Sequence, residues 1–456
     1  MLLQKAPNVQ GIVIALSGGM DSMVLLDLCS RLQSDASLPV AGLSWRVMHV
    51  NHGLHDEADM WQTRCVQACE QRSLSCQTFS LQLRETLSAS SGEGLEAHAR
   101  KARYQVMANH LQPQEVLLTA HHAQDQGETV LFRLLRGAGP KGLSGMRQEA
   151  VVPGSTAQPL WRPLLSESPE TLQAYARQQQ LHWVEDSSNR DITFSRNYLR
   201  HQVLPVIAQR WPSWLSSIER SADICRDSDE LLQALANQWL VNCQGKQPGH
   251  LNIPALLQHS QTERDVMLRQ WLWLHGRQWA GRTVLDQLTS MLLAGEDRQP
   301  VLAWQDKTVR RYRDELLVTQ PLPLLPEVPE HGYHWPLKEA PVMLSGAETA
   351  HLALTLPGNG RLLLESVAEQ GMRWPGATCR VCYRQEGIKA RLPGRPGKSL
   401  KQLWQEAAVP PWLRDRSPLL FINGELAWIA GVGVCDGFLA DPAEPSWLPR
   451  WEVMPD

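Results

Sequence analysis

An apolar run at residues 11–17 leads into the hexapeptide Ser17-Gly18-Gly19-Met20-Asp21-Ser22, and a helix-patterned stretch follows at 23–33. A Gly-Gly step just after a strand lets the backbone approach an anion closely, and the helix behind it offers unpaired N–H groups and the positive end of its dipole. Ser17 and Ser22 add hydroxyl donors. Asp21, an acid in a site built for anions, makes sense when a magnesium ion lies between its carboxylate and phosphate oxygens. Two glycines alone would mark only a tight turn. The whole hexapeptide, set between strand and helix, specifies a polyphosphate cradle. It is not a Walker A loop, because the Gly-Lys-Ser/Thr ending is missing.

The same strand-then-helix pairing recurs. Apolar runs at 45–49, 76–81 and 115–120 precede helical patterns at 56–72, 94–111 and 124–135. Such repeats predict an α/β fold with a doubly wound, Rossmann-like parallel sheet whose ligands gather beyond Ser17, Val50 and Ala120. Glycine and proline accumulate from 136 to 163 and predict a long surface loop. Residues 169–180 and 196–210 read as helices, the second stopped by Trp211-Pro212.

Apolar residues at helical spacing then run through 218–239, 266–279 and 285–293, predicting a mostly helical second domain that closes on Arg310-Arg311-Tyr312-Arg313. Pro321, Pro323, Pro326 and Pro329 suit a semi-rigid linker. Alternating apolar residues near 352–354, 380–383, 419–422 and 426–429, with one helix near 400–408, predict a small α+β C-terminal module. The expected domains are therefore 1–215, 216–320 and 336–456, with the linker at 321–335; 456 residues suffice for two or three separate cores.

With 44 basic and 47 acidic residues the net charge is −3, so any nucleic-acid contact must rest on local patches. The first nine residues lack an apolar stretch of signal-peptide length and no run is long enough to span a membrane, which predicts a soluble, cytoplasmic protein. Nine scattered cysteines, an odd number, predict reduced thiols rather than a disulfide framework. Cys379 and Cys382 invite a metal or redox reading, but no second Cys or His pair lies near, and a strand would point the two to opposite faces. Cys65 and Cys69, four apart on a helix, likewise read as packing residues.

The hexapeptide resembles the loop of the PP-loop ATPases, which cleave ATP between its α- and β-phosphates and pass AMP to a substrate oxygen. Further motifs narrow the resemblance. They are Met48-His49-Val50-Asn51-His52-Gly53-Leu54; Leu95-Glu96-Ala97 with Ala99-Arg100 and Arg103-Tyr104; and His121-His122 with Asp125-Gln126 and Glu128-Thr129. Arg162-Pro163-Leu164-Leu165, Glu185-Asp186-Ser187-Ser188-Asn189 with Asp191, and Arg196-Asn197 with Arg200 complete the set. Together they resemble the N-terminal domain of the bacterial tRNA(Ile)-lysidine synthetases. Looser motifs, Arg380 with Arg384, Lys398 with Lys401, and Val409-Pro410-Pro411-Trp412-Leu413-Arg414-Asp415, extend the resemblance over nearly the whole chain.

That resemblance implies an ATP-dependent ligase joining the ε-amino group of L-lysine to C2 of the wobble cytidine in the CAU anticodon of tRNA(Ile). ATP adenylates the C2 oxygen with release of pyrophosphate, and lysine then displaces AMP to give lysidine. The tRNA passes from methionine to isoleucine identity and reads AUA. ATP is the co-substrate, magnesium its companion ion, tRNA(Ile) and L-lysine the partners; no membrane is involved, and a homodimer is allowed for. Two rivals stand beside it. A PP-loop tRNA thiolase of the 2-thiocytidine type needs reactive cysteines or an iron–sulfur cluster. A catalytically inert tRNA-binding protein would have lost carboxylates, whereas Asp21, Asp125 and Glu128 are all present.

Asp125 and Glu128, three apart at the start of a predicted helix, share a face and can hold a cation. The resemblance makes that cation lysine or magnesium, with one carboxylate taking the proton that the attacking ammonium must lose. Acids complementing a helix dipole are the plainer reading of the same pair. Many family members have two adjacent aspartates where this chain has Gln124-Asp125, which leaves only Asp125 to carry charge. Arg100 and Arg103, one turn apart, can reach a polyphosphate or an RNA backbone, and either one is a transition-state charge stabiliser.

The catalytic set expected is thus Asp21, Arg100, Arg103, Asp125 and Glu128. His49, Asn51 and His52 follow the second strand, where the resemblance puts adenosine; Ser17 to Ser22 with His49 and Asn51 form the expected ATP site. Arg196, Asn197 and Arg200 form a basic face expected to meet tRNA phosphates. Residues 373–416 hold ten basic residues against Glu386, Glu406 and Asp415, a net of +7 in 44 residues. Arg384, Lys398, Lys401 and Arg414 are accordingly expected on the tRNA backbone, at the acceptor stem, by charge and shape.

Overall fold

Adjacent residues of β1 (Gly11–Ala15) enter different cores. Ile12 and Ile14 pack with Val24, Leu25, Val47 and Leu118, whereas Val13 packs with Met48, Tyr104, Met107 and Leu117. A strand buried on both faces requires helices on both, and its side chains alternate between them. The structure, a computed structural model, describes residues 8–53, 57–81, 92–155, 157–185, 191–277, 279–295, 298–327, 329–337, 352–367, 371–385, 387–441 and 444–453. The chain divides into two compact units, Met1–Ala234 and Leu235–Asp456.

In the first unit six strands run in the order β3 (Ser75–Ser80), β2 (Ser44–Asn51), β1, β4 (Glu115–Leu118), β6 (Pro159–Trp161), β5 (Glu149–Val151). All are parallel except β5, which pairs antiparallel with β6. Helices α1 (Met20–Ser34), α2 (Ala58–Glu70), α3 (Gly92–His110) and α4 (Ala123–Leu135) follow β1 to β4 in turn. This is the doubly wound α/β architecture that the repeats predict.

Two expectations are corrected. Residues 136–163 are not one loop: Pro140–Leu143 form a short helix, and β5 and β6 form a hairpin that buries Leu160 and Trp161. Gly154, with φ +86°, serves the hairpin turn, which the Val152 N–H closes by donating to the Gln158 carbonyl. Strands of three residues are too short to reveal a period of two. The helix read at 196–210 is interrupted: α5 (Ser195–Tyr198) passes into a π turn at Leu199–Val203 before Leu204–Arg210 resume as an α-helix. Pro205 cannot donate a backbone hydrogen bond, and the wide turn lies just before it.

The second unit begins within the long helix Trp214–Asn242 and includes the helices Gln261–Gly276 and Arg282–Leu293 around a core of Leu268, Leu272, Leu285 and Leu288. A four-stranded antiparallel sheet joins them, and it places Arg310, Arg311 and Tyr312 on the strand Lys307–Tyr312. The remainder is rich in strands, with sheets of five and three strands and the helix Leu400–Glu406. Cys379 and Cys382, on the strand Ala377–Cys382, enter two different cores, as strand geometry requires of residues three apart. Among the described residues no helix is long and apolar enough to cross a membrane.

Candidate active site

The strands β1, β2 and β4 all end at one cavity of about 480 Å³, within the size range of small-molecule sites at about 300–1,000 Å³. Its lining includes Ser17, Val50 and Ala120, the three positions where the strand order predicts ligands.

Gly18 has φ +88°, and a Cβ there would lie 3.0 Å from the buried Cys65 Sγ, so both backbone and packing select glycine. Gly19 is the N-cap of α1 in an extended conformation that any residue adopts, and a Cβ on it would meet only Ser17 Oγ at 3.7 Å. Its missing side chain therefore leaves the cradle open. Ser22 Oγ accepts from the Gly18 N–H at 3.1 Å and donates to the Gly19 carbonyl at 2.9 Å, while Ser17 Oγ donates to Ser22 Oγ at 3.1 Å. The serines thus brace the loop.

Asp21 lies in the first turn of α1 and lines the cavity; its Oδ1 is buried without a hydrogen-bond partner. Its Oδ2 is 3.6 Å from His122 Nε2, and Asp125 Oδ2 stands at 3.6 Å from the same nitrogen. Burial opposes a proton on His122, but Asp21 and Asp125 outweigh it and hold the imidazole above its ordinary value. His122 also caps α4: Nδ1 accepts from the Gln124 N–H at 3.3 Å, and the His122 N–H donates to Asp125 Oδ2 at 3.1 Å.

Two arginines close over the carboxylates of α4. Arg196 Nε donates to Glu128 Oε2 at 2.9 Å and its Nη2 to Asp125 Oδ1 at 3.0 Å. Arg200 Nε donates to Glu128 Oε1 at 2.6 Å, with Nη2 at 2.9 Å from Oε2 and 3.3 Å from Asp125 Oδ1. The Glu128 side chain has no exposure and does not line the cavity, whereas Asp125 does. Gln124, where the family has an aspartate, donates from Nε2 to Glu128 Oε1 at 3.3 Å and so adds a neutral donor to the same carboxylate. Asp125, Glu128, Arg196 and Arg200 are brought together as one charge cluster, with both arginines turned onto the acids. Asn197 Nδ2 donates to the Asp191 carbonyl at 2.9 Å.

On the opposite side of β1, His49 Nδ1 is 2.9 Å from the Leu16 carbonyl, and burial holds its imidazole below the ordinary value. Asn51 Nδ2 donates to Asp59 Oδ1 at 2.9 Å, and its Oδ1 accepts from the Gly53 N–H at 2.9 Å. Arg100 and Arg103 both line the cavity and flank the Tyr104 ring, at 5.3 and 5.6 Å from its centroid. Sequence reasoning assigned no role to His121, Tyr104 or Trp61, which also line the cavity. The paired histidines of the Asp125 motif were the available signal for His121; Trp61, in the first turn of α2, carried none. No cysteine lines the cavity among the described residues, and burial pushes Cys65 up to about 12.

Of the basic residues in the last module, Arg384 pairs with Asp415 at 2.8 Å, Lys398 with Glu406 at 2.5 Å, and Arg414 Nε donates to the Val409 carbonyl at 2.9 Å. Lys401 is exposed and makes no ion pair among the described residues. The patch is smaller than its residue count, since Arg416 is buried and bonds to the Pro323 carbonyl. Leu54, Asp186, Ser187, Ser188, Asn189 and Glu386, with the Glu96 side chain, lie outside the described residues.

Comparison with known proteins extends over nearly the whole chain. Residues 2–207 match a PP-loop domain, 251–317 a TilS substrate binding domain, and 379–452 a TilS substrate C-terminal domain. A tRNA(Ile)-lysidine synthase of Alkalilimnicola ehrlichii is 38% identical over 95% of this chain and 92% of its own. Proteins of the same name from Pectobacterium atrosepticum and Coxiella burnetii are each 36% identical over 97% of this chain, covering 94% and 93% of theirs.

Proposed function

The chain belongs to the tRNA(Ile)-lysidine synthase family, and on that premise we propose that it ligates L-lysine to C2 of the wobble cytidine of tRNA(Ile) bearing a CAU anticodon. Relatedness over 95% of this chain and 92% of a relative so named carries the reading, because it takes in the ATP-using domain and both TilS domains together.

The reaction has two steps. The cytidine C2 oxygen attacks the α-phosphorus of ATP, the α–β bridge breaks, and pyrophosphate leaves. The ε-amine of lysine then attacks C2, and AMP departs with the oxygen. For the first step, the Gly19 opening and the N-terminus of α1 receive the polyphosphate, while Arg100 or Arg103 balances the charge that builds on it. Asp21 fits a magnesium ion, since its buried Oδ1 lacks a partner. Among the described residues no group of three His, Cys, Asp or Glu side chains can hold an ion alone, so magnesium would arrive with the polyphosphate it shields.

For the second step, Asp125 is the carboxylate presented to the cavity and therefore the group that meets the lysine ammonium and accepts its proton. Glu128 takes part only when Arg196 or Arg200 releases it. Those arginines, the surface lysine Lys401, and Arg384, Lys398 and Arg414 on exchange of their present partners, are the proposed tRNA contacts, and a homodimer is the proposed assembly.

The deciding experiment is incubation with tRNA(Ile) transcript, ATP, magnesium and radiolabelled lysine. Label in the tRNA is the expected result. No lysine incorporation, with labelled sulfur entering instead, would replace this reading with the thiolase.

A further inference from the structure

We propose that Tyr104 is a positioning residue, its buried ring fixing the guanidinium groups of Arg100 and Arg103 at the cavity wall. The inference rests on the reading of those two arginines as the balance for charge that builds on the polyphosphate.

Tyr104 lines the cavity and is 3% exposed. Its ring packs in one core with Val13, Met48 and Leu117, which lie on β1, β2 and β4, the three strands that end at the cavity. A ring seated on the sheet in this way has little freedom to swing. An arginine side chain is the opposite case, since it turns about several bonds and must be held before its charge can act at one point. Arg100 stands one helical turn before Tyr104 on α3, with Cζ 5.3 Å from the ring centroid, and Arg103 precedes it directly, with Cζ at 5.6 Å. Both lie within the range of about 6 Å over which the negative face of an aromatic ring attracts a cation.

The charges around the pair call for such a hold. Burial first, then Arg100, Arg162, Arg103 and Arg196, keep His121 well below its ordinary value, so that side chain is neutral and four guanidinium groups act on it together. Like charges gathered at one wall push apart. The ring attracts them without a charge of its own, whereas a carboxylate in its place would neutralise the positive potential that the polyphosphate needs. The Tyr104 hydroxyl is buried without a hydrogen-bond partner among the described residues, although Arg162 stands near it. The holding therefore falls to the ring.

The test measures pyrophosphate release by the full chain with magnesium and saturating tRNA(Ile) transcript over a range of ATP concentrations, beside the thermal midpoint of each variant. Arg100→Ala and Arg103→Ala come first. If neither lowers kcat, alone or together, the reading of the arginines fails and this inference with it. Given that loss, Tyr104→Leu should lower kcat about 10- to 100-fold while the KM for ATP stays within about threefold, and Tyr104→Phe should keep kcat within about threefold of wild type. Tyr104→Met takes the place of Tyr104→Leu should the latter not fold. In the chain already lacking both arginines, the Tyr104 substitution should lower kcat no further, because nothing is left to hold. A packing role alone would lower the midpoint and reduce kcat by the same factor in either background. Unchanged kcat in the folded variant, equal losses in Tyr104→Phe and Tyr104→Leu, or a further loss without the arginines overturns the proposal and leaves the role of the arginines standing.

Discussion

Arg200 holds Glu128 at two points, Nε to Oε1 at 2.6 Å and Nη2 to Oε2 at 2.9 Å, and the carboxylate so held has no solvent exposure. Glu128 is therefore an anchor for the two arginines, while its neighbour Asp125 keeps a face on the cavity. The two acids of one helix turn have different work.

Glu128→Gln should lower stability by about 2–4 kcal/mol, because Arg196 and Arg200 lose their enclosed counter-charge. Asp125→Asn, whose single oxygen cannot accept from both the His122 N–H and the two arginines, should cost about 1–2 kcal/mol, less than Glu128→Gln, and raise the lysine KM about tenfold or more. Urea denaturation and lysine titration separate the two. A stable Glu128→Gln with a raised lysine KM would exchange the assignments.

The two glycines of the loop should fail differently. Gly18→Ala puts a Cβ at φ +88° and 3.0 Å from Cys65 Sγ, so it should cost about 1–3 kcal/mol of stability. Gly19→Ala should fold with nearly unchanged stability yet lose ATP affinity, since its methyl would stand in the cradle. Thermal melts and nucleotide titration of both proteins provide the check.

Asp21→Ala should abolish pyrophosphate release and leave tRNA binding within about twofold of wild type, because the residue lines the proposed nucleotide cavity and forms no ion pair with an expected tRNA contact among the described residues. A filter-binding assay beside a pyrophosphate assay measures both. Loss of tRNA affinity would show that the loop has a different task.

Acid stability follows from three histidines. Burial first, then Arg100, Arg162, Arg103 and Arg196, hold His121 well below its ordinary value of 6.5, and burial also lowers His49. Their contribution is present above pH 6.5 and is lost as pH falls from there toward the folded values, because the unfolded chain gains protons that the fold refuses. His122 is raised and acts oppositely, stabilising below pH 6.5 and losing that contribution as pH rises through its folded value. Unfolding free energies measured by urea denaturation between pH 5 and 6.5 should fall with acid at up to about 1.4 kcal/mol per pH unit per lowered histidine, and His121→Asn should flatten that limb. An unchanged slope would remove His121 from the account.

Lys401→Glu should weaken tRNA binding and reduce its salt dependence by about one counter-ion, whereas Lys398→Ala, whose lysine already faces Glu406, should do less. Affinities at several salt concentrations give the slopes. Equal effects would mean that the Lys398 pair opens for RNA.

The catalytic fold was legible because β1, β2 and β4 show apolar runs and each of β1 to β4 is followed by a helical pattern of at least three turns. The hairpin of β5 and β6 was hidden among glycines and prolines, and the sheet at Lys307–Tyr312 lay behind a basic run whose alternation is carried by only Val309, Arg311 and their neighbours. Site membership could be read from motifs, but partnership could not: residues 68 and 72 positions apart meet at Glu128, and nothing in their local spacing says that Arg196 and Arg200 turn inward. The basic count of the last module likewise overstated its surface, since the buried Arg416 looks the same in a sequence as the exposed Lys401.

The hairpin that went unread has a bearing on solubility. β5 gives the catalytic sheet an outer border only three residues long and running against its neighbour, so a strand from another molecule would find few backbone groups to grip there. The opposite border, β3, reads Ser-Cys-Gln-Thr-Phe-Ser and is mostly exposed and polar. A sheet of slow-forming parallel strands is thus bounded on one side by brevity and on the other by hydrophilic side chains, which discourages clumping while the chain is still folding.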